Sequence, residues 1–432
     1  MSLDYSIFNS NMLCIRDLHP LMSEAIESIE VTAEHIAFVS EGQTTLQIAG
    51  RQLSSLYDPR REAEIQAATL PENESLSIYG CGIGLLPSTL LKRGSLKQLK
   101  VKILNLDLFI IVMFYFDQRD WLSDPRVQLS LARHDCEVDV PFFCSPAEAL
   151  FPEAECELIG ERLRHELNQK FVGEHFSALK DELHDRMQGA LAGASRNQDI
   201  KCLFDSQVNK AALIVGAGPS LEGQTKFLER FRDEGSGVTL ATDAATKFLS
   251  QIRLCPDYVV SIDADYKPED LFFGNEETVG LVHSPQLQPD ILRYWTGPKF
   301  IFLTKTGLHE GLDKENQFAT LFSGGSVLHP AVDLAIKMGC KTIYLAGSDF
   351  SFPGGKTHAA WTNGDLSHRD TETYIQTRNI SGAKVSTTQD YLGYKIELER
   401  FIARHPQITF INLSESGAKI MGALSQHDIP NV

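Results

Sequence analysis

No apolar run in this chain is long enough to cross a bilayer. The greasiest stretch, Leu108 to Phe116, falls far short of the ~20 residues a spanning helix needs and reads as a buried strand or helix. No basic start followed by an apolar core opens the chain, so no signal peptide is expected. The eight cysteines, Cys14 to Cys340, are scattered, with no C-x-x-C pair and no ligand spacing. Reduced, mostly buried thiols in a cytoplasmic protein are expected. Positive charge is scarce as well. Against 57 Asp and Glu stand 40 Lys and Arg, a net charge of −17, which argues against nucleic acid or an anionic membrane as the main partner. A small anion held by backbone amides stays compatible with that charge.

What is present is an ordinary globular composition, 43% hydrophobic and 22% charged over 432 residues, long enough for two or three domains. Alternation around Thr44 to Ala49 suggests short strands ahead of a first unit, residues 1–150. Its core motif is Ser77-Ile78-Tyr79-Gly80-Cys81-Gly82-Ile83-Gly84, a strand running through a G-x-G-x-G turn into a helix. Asp107 follows Gly84 by 23 residues, at the end of the next apolar run, where a Rossmann-type unit holds a ribose hydroxyl. The unit is either a nucleotide or nucleoside site, somewhat like that of S-adenosylmethionine-dependent methyltransferases, or a scaffold that binds nothing. No recognisable catalytic residues follow, which favours the scaffold. From Glu157 to about Gly189 apolar residues recur at three-to-five-residue spacing. That pattern predicts an amphipathic helix or helix pair, broken near Gly173, inside a helical linker at 151–205.

Residues 206–432 alternate strands and helices. Ala211–Val215, Val238–Ala241, Tyr258–Ile262, Lys299–Leu303, Thr342–Leu345 and Ile408–Ile411 read as strands, with helices at Gln224–Asp233, Val327–Met338 and Tyr391–Arg404 among them. The fold class expected is α/β, with two Rossmann-like domains, the second an open parallel sheet that takes ligands at the carboxyl ends of its strands.

Five features meet at those ends. Gly216-Ala217-Gly218-Pro219-Ser220 joins the first strand to a helix, so backbone amides and a Ser220 cap are offered to a phosphate. Asp243 ends the second strand, 25 residues after Gly218, in the ribose position. Asp263 and Asp265 end the third and could share a divalent cation, or could be a cap and a solvated turn residue. Ser323-Gly324-Gly325-Ser326 opens a helix as a second anion cradle. Finally Ala346-Gly347-Ser348-Asp349-Phe350 leads to Gly354-Gly355-Lys356-Thr357-His358. A histidine beside such a site can take a hydroxyl proton near neutral pH, and His368 is the fallback.

These motifs, I-V-G-A-G-P-S-L, F-S-G-G-S-V-x-H-P-A-V-D-L-A-x-x-M-G, I-Y-L-A-G-S-D-F and G-G-K-T-H-A, resemble the core of the motility-associated factor (Maf) family. Tyr57-Asp58-Pro59 with Glu62-Ala63, and Ile411 to Gly422, resemble it too, so the likeness runs from about residue 50 to 422. Maf proteins are bacterial glycosyltransferases with a central domain similar to that of bacterial sialyltransferases. The resemblance implies transfer of a nonulosonic, sialic-acid-like sugar from a CMP-activated donor to flagellin Ser or Thr. It implies that Gly216 to Ser220 and Asp243 line the nucleotide, and that Ser323, Gly324, Gly347 and Ser348 close around cytidine and phosphate. The catalytic candidates are Asp349, in the G-S-D-F turn, and His358, chosen for its place beside the site and not through the resemblance. Ser351 and Thr357 stand where sialyltransferases carry tyrosines that support the leaving phosphate. Two alternatives stay open: a Mg²⁺-dependent pyrophosphokinase related to hydroxymethylpterin pyrophosphokinase, centred on Asp263 and Asp265, and a non-catalytic nucleotide- or flagellin-binding protein.

Overall fold

A computed structural model describes residues 3–29, 36–41, 43–178, 187, 198–263, 271, 276–305, 318–360 and 374–428. Its contacts divide the chain into two units, Met1–Lys170 and Phe171–Val432. Both are α/β. Among the described residues no helix is long and apolar enough to cross a membrane.

The N-terminal unit begins with helices that alternation near residue 44 did not announce, Tyr5–Leu18 and Pro20–Glu27. They bury Met12, Ile15, Met22 and Ile26 in the same core as Leu106 to Phe114. A meander follows, β1 (Ile36–Glu41), β2 (Gln43–Ile48) and β3 (Arg51–Gln52), all antiparallel. Then β4 (Ser75–Tyr79), β5 (Gln98–Ile103), β6 (Val127–Leu131) and β7 (Phe142–Cys144) form a parallel sheet in the order β6-β5-β4-β7. The greasy run is a helix, Leu106–Tyr115, apolar on all sides because it is buried on all sides. Asn105 caps its start through Leu108 N–H, and Asn11 Nδ2 closes its end by donating to Met113 O and Phe116 O, both at 2.9 Å. Asp107 therefore lies in the first turn of this helix, past β5 and not at its end. The strand stops at Ile103 because Leu104 and Asn105 break away to cap the helix.

The helix after this sheet runs unbroken from Glu157 to Ala178 and passes straight through Gly173. A single glycine costs a helix about 1 kcal/mol, which its neighbours outweigh here. Ile159 and Leu163, in its first half, pack with Tyr79, Leu104 and Cys144 of the N-terminal unit. The remainder of the expected helical segment, apart from Met187, lies outside the described residues.

In the C-terminal unit β8 (Gln198–Asp199), β9 (Ala211–Val215), β10 (Gly237–Thr242), β11 (Tyr258–Ser261), β12 (Gly280–His283), β13 (Lys299–Ile301), β16 (Thr342–Ala346), β19 (Thr409–Asn412) and β20 (Leu424–Ser425) make a nine-stranded sheet. Two small ribbons, β14 (Leu303–Thr304) with β15 (Thr320–Leu321) and β17 (Ile375–Arg378) with β18 (Lys384–Thr387), stand apart. The large sheet is parallel throughout, in the order β20-β19-β16-β9-β10-β11-β12-β13-β8. Its central strands are sheltered on both faces, so β9 reads as Ala-Ala-Leu-Ile-Val with Ala212 to Val215 at 0% exposure. The chain travels outward from β9 through β13, then returns to the other side of β9 as β16. That reversal opens a crevice between the loops after β9 and β16, where ligands of such sheets bind.

Candidate functional site

The two loops at the reversal are zipped together. Gly216 N–H donates to Ala346 O and Gly218 N–H to Gly347 O, both at 2.8 Å. Asp349 then bonds to the end of the first loop: its Oδ2 accepts from Ser220 N–H at 2.8 Å and its Oδ1 from Ser220 Oγ at 2.5 Å. Ser414 Oγ, from the loop after β19, donates to the same Oδ1 and accepts from Gly417 N–H at 3.0 Å. One buried carboxylate thus ties three loops together. Burial raises the Asp349 pKa, and the hydroxyl and amide donors oppose the rise.

This geometry changes the reading of the first cradle. The turn enters a 3₁₀ segment, Pro219–Gln224, before the helix Thr225–Asp233. Three of its four N–H groups are already bonded, so among the described residues Ala217 N–H is the loop amide left for a ligand. The second cradle is organised similarly. His329, fully buried in the helix Leu328–Lys337, accepts from Gly324 N–H at 2.9 Å through Nδ1. Its Nε2 consequently carries the proton and donates to Tyr394 O at 3.0 Å. Burial holds its pKa down to about 4, so the ring is neutral. Ser323 stands at the mouth of this loop, half-buried.

His358 is brought to the first loop. Ala359 N–H donates to Ala217 O at 2.9 Å, seating His358 beside the zipped glycines. Glu222 clamps the same segment, accepting from Ala360 N–H and Lys356 Nζ at 3.1 Å each. Burial lowers the His358 pKa, which keeps a neutral imidazole at neutral pH. Ser348 is buried behind the turn. Ser351, one of the positions that departs from sialyltransferases, is buried as a tie between Asp349 O and Ala418 N–H.

Asp243 directly follows β10, as the first residue of a 3₁₀ turn, and it is buried and partly occupied. Its Oδ2 accepts from Ser261 Oγ and its Oδ1 from Ala244 N–H, both at 2.8 Å. Burial pushes its pKa up to about 7; the two hydrogen bonds oppose this and the charge of Asp263 adds to it. The folded value lies above the unfolded one near 3.8. The group's contribution to stability is therefore complete below the unfolded value and lost as pH rises through 7. Urea unfolding at about pH 5 and about pH 8 should show wild type losing more stability than Asp243→Asn between the two. Equal losses would contradict the burial account. Asp263 follows β11 and is exposed, while Asp265 and His368 lie outside the described residues. No group of three or more His, Cys, Asp or Glu side chains that could hold a metal occurs among the described residues.

His329, Ser414 and Ser261 are the residues that sequence reasoning passed over. His329 and Ser414 sit within quoted motifs, but a side chain that braces a loop from behind has no spacing signature.

Residues 190–355 match the model of a family described as 6-hydroxymethylpterin diphosphokinase MptE-like. A 6-hydroxymethyl-7,8-dihydropterin pyrophosphokinase of Pyrococcus furiosus is 33% identical over 165 residues, which cover 38% of this chain and 67% of that protein. An uncharacterized protein of Treponema pallidum is 32% identical over 168 residues, 37% of this chain and 29% of its own length. Among solved structures, a Maf glycosyltransferase from Magnetospirillum magneticum AMB-1 is similar over 98% of this chain and 74% of its own. Its identity is 17% and its TM-score 0.47. Over the matched span in its C-terminal unit, the chain belongs to the MptE-like family.

Proposed function

We propose that the C-terminal unit is a glycosyltransferase that moves a nonulosonic, sialic-acid-like sugar from a CMP-activated donor to flagellin Ser or Thr hydroxyls. The observation that carries this reading is the seating of His358 on the Gly216–Ser220 loop through the Ala359 to Ala217 hydrogen bond. The bond between the sugar's anomeric carbon and the donor phosphate breaks as the acceptor oxygen bonds to that carbon. The acceptor proton passes to the neutral imidazole of His358, and CMP leaves. Ala217 N–H faces the departing phosphate, and Ser323, Gly324 and the Gly347 turn enclose the nucleotide, with Ser348 buried beneath that turn. Asp349 acts through Ser220 and Ser414 as a positioning residue, since its oxygens are engaged by them.

Asp243 receives a ribose hydroxyl in this arrangement. Asp243→Ala then loses charge-assisted bonds worth roughly 1.5–3 kcal/mol, about 10- to 150-fold in CMP affinity. A calorimetric titration that finds less than a twofold change removes Asp243 from the site.

A second reading is supported by the 33% identity to the Pyrococcus pyrophosphokinase. There Asp263 and Asp265 would hold Mg²⁺ against ATP phosphates. A thermal-shift screen separates the two, because a ligand raises stability by mass action. CMP or CDP raising Tm without Mg²⁺ supports the transferase. A rise with ATP that requires Mg²⁺, and none with CMP, supports the pyrophosphokinase.

A further inference from the structure

The N-terminal unit has its own reversal point, between the loops after β4 and β7, and its own glycine loop there. A side chain of the protein already fills it. Glu148, in the short helix Pro146–Leu150 that follows β7, is buried. Its Oε1 accepts from Cys81 N–H at 3.0 Å, and its Oε2 accepts from Gly82 N–H at 3.2 Å and Ser145 Oγ at 3.0 Å. A Cβ on Gly80 would collide with this carboxyl group. Four residues along the loop, a Cβ on Gly84 would collide with the Gln118 side chain, which is fully buried between Ile83 O and Trp121 Nε1. The cavity left beside Glu148, bordered by Leu53, Glu62 and Gln66, measures about 30 Å³. That is room for a water or two and not for a nucleotide.

We infer that the Glu148 carboxyl group is the resident acceptor of the N-terminal glycine loop, standing in the place where a phosphate would sit. The loop keeps the shape of an anion cradle because an acceptor group of the chain itself fills it. Its donors are aimed at that group as such backbone concavities are aimed at anions, and the group is covalently part of the chain. Removing the carboxylate should open a site for a small oxyanion, and retaining its shape should keep the site shut.

Cys81-Gly82 is the one Cys-Gly step in the sequence. Labelling the full chain with ¹³C-carbonyl cysteine and ¹⁵N-glycine therefore isolates the Gly82 amide as a single cross-peak. Inorganic phosphate should leave that peak unmoved in wild type and shift it saturably in Glu148→Ala. Glu148→Gln, which keeps an acceptor oxygen against the amides, should leave it unmoved again. A phosphate-dependent shift in wild type or in Glu148→Gln overturns the inference, as does a folded Glu148→Ala that ignores phosphate. Should Glu148→Ala fail to fold, wild type and Glu148→Gln still decide the matter by the same peak. Nucleotide binding in the C-terminal unit does not enter this readout, so the two assignments fail separately.

Discussion

Gly218→Val is expected to weaken CMP binding by at least about 100-fold, beyond the range of an ordinary titration. The reason lies in the zipped loops. A Cβ at position 218 would stand 2.5 Å from Asp349 Oδ2, 2.6 Å from its Cγ and 2.7 Å from Gly347 O. Contacts that close are not tolerated, and two of the three atoms belong to the carboxylate that ties Ser220 and Ser414 together. Sequence reasoning also forbids a side chain here, because it would take the space of a phosphate. The structure gives that space to Asp349. Displacing Asp349 releases Ser220 and opens the crevice between the loops after β9 and β16, so the ligand loses its wall as well as its donors. Gly223, where a Cβ meets nothing within 4 Å, supplies the control: Gly223→Ala should bind as wild type does. Urea melts on both variants report whether the fold survives. A folded Gly218→Val that binds CMP normally would place the nucleotide elsewhere.

His358→Ala is expected to lower sugar transfer by at least about 100-fold while CMP affinity stays within a factor of about two. A base within hydrogen-bond reach of the acceptor typically contributes 10²–10⁴-fold. The imidazole is suited to that part, since burial lowers its pKa and leaves it unprotonated near neutral pH. The backbone that follows it is held from two sides, Ala359 N–H by Ala217 O and Ala360 N–H by Glu222. Truncation at Cβ should leave those bonds in place, so a change in rate without a change in affinity reads out the proton transfer itself. Loss of CMP binding in His358→Ala would make the residue part of the nucleotide pocket. An unchanged rate, with Asp263→Ala inactive, would move the chemistry to the metal-dependent reading.

Much of the fold was legible because buried parallel strands leave short apolar runs bounded by turn residues. Ala211–Val215 is read to the residue, and the strands at 237, 258, 342 and 409 to within one or two. The strand Gly280–His283 was invisible: four residues starting on glycine carry too little periodicity. The opening helices escaped because their apolar residues face the core in a short amphipathic stripe, with Leu13, Leu18 and Leu21 left exposed around it. At the site, motifs revealed which loops meet but not what the amides do once they meet. Gly216, Gly218 and Gly324 look from sequence like open donors, and in the structure each bonds to Ala346 O, Gly347 O or His329 Nδ1. The same gap hid Glu148. Its position sixty-six residues past Gly82 gives no hint that it lies in the loop.

Intact-mass spectrometry of flagellin, incubated with the full chain and a CMP-activated nonulosonic acid, tests the central claim most directly. Parallel arms carry EDTA and Mg²⁺. Flagellin should gain the mass of the sugar in wild type, with free CMP released in equal amount, and should gain none within the same time in His358→Ala. Glu148→Ala, altered only in the N-terminal unit, should still modify flagellin. If flagellin stays unmodified while the chain, with Mg²⁺ and ATP, transfers pyrophosphate to a hydroxymethylpterin and releases AMP, the glycosyltransferase account is contradicted.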